Sequence, residues 1–233
     1  MSNNMPLSTE AQNHNQVFHT DYTFDNFVVG NSNRYAHTVA LCVAKSLGQK
    51  YSPVFIYGGI GLGKTHLLHA IKHYAQNEGK KAVCTTVEQF MHDFTDHLRH
   101  QTMDIFRNKY RTCDVLLIDD IQYIAHKFHT QEELYHTFNE LHLSGAQIVV
   151  TSTVALEHID GLDERLKSRL GGGFMTDIGL LDEDTKKEII QKKSAQYHLT
   201  LTNEVINDIV LQAGEDIRKI ESALINLSLN HQK

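Results

Sequence analysis

Gly58-Gly59-Ile60-Gly61-Leu62-Gly63-Lys64-Thr65 fits the pattern G-x-x-x-x-G-K-[ST], and its two flanks decide how it is read. Upstream lies Val54-Phe55-Ile56-Tyr57, a short apolar run with the look of a buried strand. Downstream, Thr65 to Tyr74 has helical patterning. A strand, a glycine-rich turn and a helix in that order form a phosphate-binding loop. The glycines let successive backbone N–H groups turn inward onto phosphate oxygens, and the helix N-terminus adds positive potential. In this reading Gly59, Gly61, Leu62, Gly63 and His66 contact the nucleotide, Lys64 reaches the β- and γ-phosphates, and Thr65 ligates Mg²⁺.

Three further apolar runs resemble buried strands: Ala82 to Thr85, Val115 to Ile118 and Ile148 to Thr151. Helical patterns separate them, which predicts an α/β fold with a parallel sheet built from right-handed crossovers. A fifth segment, Phe174 to Ile178, follows the break at Gly171-Gly172-Gly173. From Asp182 the pattern is helical only, over about 182–197, 203–212 and 215–229, so a boundary is expected near residue 180. Residues 1–20 are polar and read as a disordered arm, leaving 21–180 as the nucleotide-binding unit and 181–233 as a small helical unit.

Asp119-Asp120 directly follow the third strand, at the carboxyl end where open α/β sheets place ligand groups. Beside a phosphate loop, Asp119 is assigned to Mg²⁺, partly through water, and Asp120 to the attacking water; the alternative is a plain turn cap.

Composition narrows the function classes. The 233 residues are 41% hydrophobic and 21% charged, ordinary values for a globular chain. No apolar run is long enough to span a bilayer, and the first twenty residues lack the basic and apolar regions of a signal peptide, so a cytoplasmic location is expected. Cys42, Cys84 and Cys113 are too widely spaced for a disulfide framework or a C-x-x-C metal site. A net charge of −6 argues against strong autonomous binding to duplex DNA.

Beyond the loop, a wider set of segments carries a resemblance. These are Phe24 to Phe27, Tyr57 to Ala70, Leu116-Leu117-Ile118-Asp119-Asp120-Ile121-Gln122, His136 to Asn139 and Arg165-Leu166-Lys167-Ser168-Arg169. Over about residues 20–230 the chain resembles the central AAA+ domain of the DnaA family of bacterial replication initiators. Helicase loaders of the DnaC type and Hda-like regulators share that architecture.

The resemblance implies a five-stranded AAA+ sheet with helices on both faces and a helical lid over bound ATP or ADP. It also implies ATP-dependent assembly into a filament that opens the replication origin, with slow hydrolysis as the off-switch. Arg169 looks like the arginine finger that reaches a neighbouring subunit's ATP, and Arg218 like the lid's sensor arginine. Val28, Val29 and Gly30 resemble the stretch that packs against adenine; a plain edge strand or core packing is the alternative. Arg99, Arg107, Lys109 and Arg111, interleaved with aromatics in the helical stretch 90–111, would contact single-stranded DNA; an amphipathic helix pair with a solvated charged face is the alternative.

The chain departs from the family in lacking a Trp within Gly171-Gly172-Gly173 and in carrying Thr153 where an acid is common, so the first sensor falls to Thr153 or Ser152. The family reads duplex DNA with a C-terminal helix-turn-helix domain, and this chain stops at Lys233, so recognition of origin boxes by these residues alone is not expected. A competing function is that of a regulator or loader that docks on a replication initiator or helicase. His66, His69 and His73 share a helical face, but no Cys or acid completes a convincing zinc set.

Overall fold

A computed structural model describes residues 22–48 and 51–231. The proposed disordered arm, residues 1–20, lies outside them. Five parallel strands form one sheet: β1 (Val54–Gly58), β2 (Ala82–Thr86), β3 (Val115–Asp119), β4 (Gln147–Ser152) and β5 (Phe174–Ile178). Their spatial order is β2-β3-β4-β1-β5. Each apolar run of the sequence is a strand in register with its neighbour, as in Val54 beside Val149 and Val115 beside Gln147.

Because side chains alternate across a strand, the sheet feeds two separate apolar layers. Ile56, Leu117 and Val149 face α1 (Arg34–Lys45) and α2 (Lys64–Asn77). Phe55, Leu116, Ile118 and Val150 face α3 (Val87–Arg99), α4 (Met103–Arg111), α5 (Phe128–Leu143) and α6 (Glu164–Gly171). Both faces are thereby covered, which is why the central strands β1, β3 and β4 are largely apolar runs, whereas the edge strand β5 alternates buried and exposed positions. After β5 come α7 (Glu183–Gln196), α8 (Asn203–Ala213) and α9 (Ile217–His231), and their buried Ile189, Ile206, Ile209 and Leu224 join the first layer.

Local chemistry sets the helix ends. The side chains of Thr86, Asp182 and Thr202 accept N–H bonds from the first turns of α3, α7 and α8. The stretch 90–111 is two helices, because Gln101 takes a left-handed φ of 57° between α3 and α4. The aromatic and β-branched segment from Tyr22 to Gly30 is turn and loop with no strand. Gly173 permits a close approach, since a Cβ there would stand 2.0 Å from the Pro53 carbonyl oxygen. Among the described residues no helix is long and apolar enough to cross a membrane.

Phe106 of α4 is fully buried, edge-on to Phe90 with ring centroids 5.1 Å apart and 4.9 Å from Tyr110. It fastens the α3–α4 pair to the sheet. Phe106→Ala is expected to cost about 3–5 kcal/mol of stability, read as a lower midpoint in denaturant unfolding.

Candidate nucleotide site

The loop between β1 and α2 depends on glycine geometry. Gly61 has φ 73° and Gly63 φ 99°, a region that L side chains rarely adopt. Gly63 also lies against Phe27, whose ring would be 3.1 Å from an added Cβ. Lys64 heads α2, and its side-chain ammonium donates to the carbonyls of Gly58 and Gly59, each at 2.8 Å. The residue is only 6% exposed, and among the described residues no carboxylate forms an ion pair with it. Burial lowers the ammonium below its ordinary pKa; Asp120 and Asp119 pull the other way, and Arg218 adds to the lowering. A buried cation held only by carbonyl dipoles favours an incoming anion.

That cation faces a cavity of about 500 Å³, within the size range of small-molecule and cofactor sites. Ile60 to His66 line one wall, and Asp120, Tyr123 and Thr153 another. The C-terminal helices contribute Ile189, Lys193 and Arg218 to the far side.

At the strand ends, one carboxylate joins three elements. Asp119 accepts a hydrogen bond from the Thr65 hydroxyl at 2.6 Å and another from Thr151 of β4. The same Thr151 oxygen accepts the Asp120 N–H at 3.1 Å. Burial pushes the Asp119 carboxyl above its ordinary value against the pull of the two hydroxyls. Thr65 and Asp119 thus lie side by side, as the sequence reading requires of two groups sharing one metal ion. No cluster of three or more His, Cys, Asp or Glu side chains accompanies them among the described residues, so phosphate oxygens and water would complete the shell.

Asp120 takes a left-handed φ of 58° at the cavity wall, where Gln122 Nε2 donates to its Oδ1 at 3.0 Å. The Gln122 amide oxygen in turn accepts the Thr153 N–H at 3.2 Å. Of the two first-sensor candidates, Thr153 lines the cavity, whereas Ser152 is buried and accepts the Val154 N–H.

Loop residues 22–30 form the remaining wall. His66 Nε2 donates to the Thr23 carbonyl at 2.8 Å, and its ring stacks on Tyr22 at 4.7 Å and meets the Phe27 edge at 5.1 Å. The Asn33 amide bonds both the Val28 carbonyl and the Gly30 N–H, fixing the course of this loop. Val28 faces the cavity, while Val29 packs against the core. Gly30 abuts α7, where an added Cβ would fall 2.1 Å from the Thr185 hydroxyl. Only Val28 of the expected adenine stretch therefore lines the cavity itself. Tyr22 and Tyr123 also line it, and no local motif marks them.

The two arginines lie in different places. Arg218 borders the cavity and pairs with Asp216 through Nε at 3.2 Å and Nη2 at 3.3 Å. Arg169 lies in a separate surface groove with Pro53, Tyr135 and Arg165, and it donates to Asn139. This chain does not bring Arg169 to its own cavity. Of the α3–α4 cations, Lys109 pairs with Asp93 and Arg111 with Glu133 and Glu140, while Arg107 is 3.8 Å from Glu133. Arg111 is thereby a structural clamp between α4 and α5.

A parallel sheet in this order, a phosphate loop after β1, an acidic pair after β3 and an arginine supplied by three trailing helices define a P-loop domain of the AAA+ type. The family described as the bacterial DnaA ATPase domain matches residues 18–177, and the chain belongs to that family. It is 47% identical over 225 residues to the chromosomal replication initiator protein DnaA of Aliarcobacter butzleri, spanning 95% of this chain and 51% of that protein. Domain III of the Thermotoga maritima replication initiation protein DnaA is 40% identical with a TM-score of 0.87, covering 98% of this chain and 91% of that one. A replication initiator DnaA bound to AMPPCP and single-stranded DNA is 38% identical with a TM-score of 0.82, covering 89% of this chain and 65% of that one. The chain spans about half the length of the curated relatives it matches.

Burial holds the His66 pKa down to about 4 from its ordinary 6.5. The unfolded chain therefore takes up this proton first as pH falls. Its contribution to stability is complete above pH 6.5 and lost progressively toward pH 4, by roughly 3 kcal/mol in all. Denaturant unfolding across that window is expected to show a steeper pH slope for the wild type than for His66→Gln.

Proposed function

We propose that this domain binds ATP with Mg²⁺ and uses the nucleotide as an assembly switch for replication initiation, in the cytoplasm. The observation that carries this reading is the buried Lys64 ammonium, which has no carboxylate ion pair among the described residues and faces a nucleotide-sized cavity. The likeness to an initiator bound to AMPPCP and single-stranded DNA supports it.

In this scheme Gly59, Gly61, Leu62, Gly63 and His66 enclose the phosphates and Lys64 neutralises them. Val28, with Val29 and Gly30 behind it, walls the adenine. Thr65 and Asp119 hold Mg²⁺, partly through water, and Asp120 orients the water that attacks the terminal phosphate, giving ADP and phosphate. Residues 21–180 form the nucleotide-binding unit. Residues 181–233 act as the lid and present Arg218 as the sensor of the phosphate chain.

The placement of Arg169 outside its own cavity supports a role across a subunit boundary, where it completes the ATP site of a neighbouring copy. Self-association into a filament then depends on ATP, and the filament engages single-stranded origin DNA and opens the duplex. Slow hydrolysis reverses the assembly. Arg99 and Arg107 are the cations of α3 and α4 best suited to the strand, because Lys109 and Arg111 are closely engaged by acidic partners.

Two variants separate the parts of this scheme. Lys64→Ala is expected to weaken ATP binding at least about a hundredfold in calorimetric titration, because a buried charge-assisted contact to phosphate is lost. Arg169→Ala is expected to bind ATP as the wild type does yet fail to form the large ATP-specific assemblies seen by light scattering. A wild-type chain that stays monomeric with ATP, with ADP and with a single-stranded oligonucleotide, but binds an initiator or helicase tightly, would establish the regulator or loader role instead.

A further inference from the structure

Asp216 stands at the start of α9 and makes three bonds to one residue. Its Oδ1 accepts the Arg218 N–H at 2.9 Å and the Arg218 Nε at 3.2 Å, while Oδ2 accepts Nη2 at 3.3 Å. The first of these is an ordinary cap that Asn provides as well. The other two are a charge pair that a cap does not need. The carboxylate is also pressed onto the phosphate loop, since a Cβ on Gly61 would fall 2.0 Å from Asp216 Oδ1. A negative group thus occupies the rim of an anion site and holds the very guanidinium that borders the cavity.

We infer that Asp216 is a positioning residue that competes with the nucleotide's terminal phosphate for the Arg218 guanidinium and so limits the preference for ATP over ADP. The inference deepens the proposed ATP-binding role and rests on it. Arg218 spends its Nε and Nη2 edge on Asp216, so a phosphate that takes this same bidentate edge must draw it off the carboxylate. A nucleotide whose phosphate chain reaches Arg218 bears that cost, whereas a shorter one leaves the pair intact. The Arg218 side chain is 65% exposed, so the pair is of the weak, solvent-screened kind and its effect is a matter of a few-fold.

Asp216→Asn keeps the cap oxygen and removes the charge. Titration of the full chain with fluorescent ATP and ADP analogues at low salt is expected to show ATP binding tightened about three- to fivefold, with ADP nearly unchanged. The gain should shrink at about 0.5 M salt, where the Debye length falls to a few ångströms, and vanish in an Arg218→Ala background. An unchanged or lower ATP-to-ADP affinity ratio in Asp216→Asn would overturn the inference and leave Asp216 a cap. Equal tightening for both nucleotides that persists in Arg218→Ala would also overturn it, by showing direct repulsion of phosphate. A wild-type chain with no affinity for either analogue would overturn the nucleotide reading itself, and this inference with it.

Discussion

Asp119 ends β3 with its carboxylate buried, and each oxygen takes a hydroxyl from a different part of the chain: Thr65 from the first turn of α2 and Thr151 from β4. That carboxylate fixes the separation between the phosphate loop and the acidic pair, which the sheet alone would leave loose because β4 stands between β1 and β3. The arrangement is under electrostatic tension, since burial disfavours the charge and the two hydroxyls only partly offset it. A cation beside Asp119 would relieve the tension, and so would a proton.

Much of this was legible in the sequence, and the reason is physical. Strands covered on both faces are largely apolar, so β1, β3 and β4 appeared as unbroken runs between helical patterns. The glycines of the loop were legible because positive φ at Gly61 and Gly63 leaves little choice of residue. Asp119 and Asp120 stood out because they interrupt an apolar strand at its end. The full ordered set of segments, from Phe24 through Arg169, made the family recognisable, and the match over residues 18–177 agrees with it.

The illegible parts depend on distant neighbours. Thr151 reads as one more β-branched strand residue, and only the pairing of β3 with β4 carries it beside Asp119. Arg111 has the composition of a nucleic-acid contact, yet Glu133 and Glu140 of α5 enclose it. Nothing within α4 announces those partners. The helix pair offered as the alternative reading of 90–111 is what forms, with Gln101 at the break between α3 and α4.

The cavity is closed by segments that are far apart in sequence. Tyr22, Phe27 and Val28 form one side and Ile217 and Arg218 another, and Lys192 of α7 donates to the Asp25 carbonyl across 167 positions of sequence. During synthesis the phosphate loop emerges before α7 and α9, which supply its far wall. Until α9 is made, a nascent chain therefore carries Lys64 without a full enclosure for a nucleotide. Enclosure of a ligand in such a design reports that the residues through α9 have been made and have closed on the segment that precedes β1, so a product that stops within the lid helices is disqualified from the site by geometry alone.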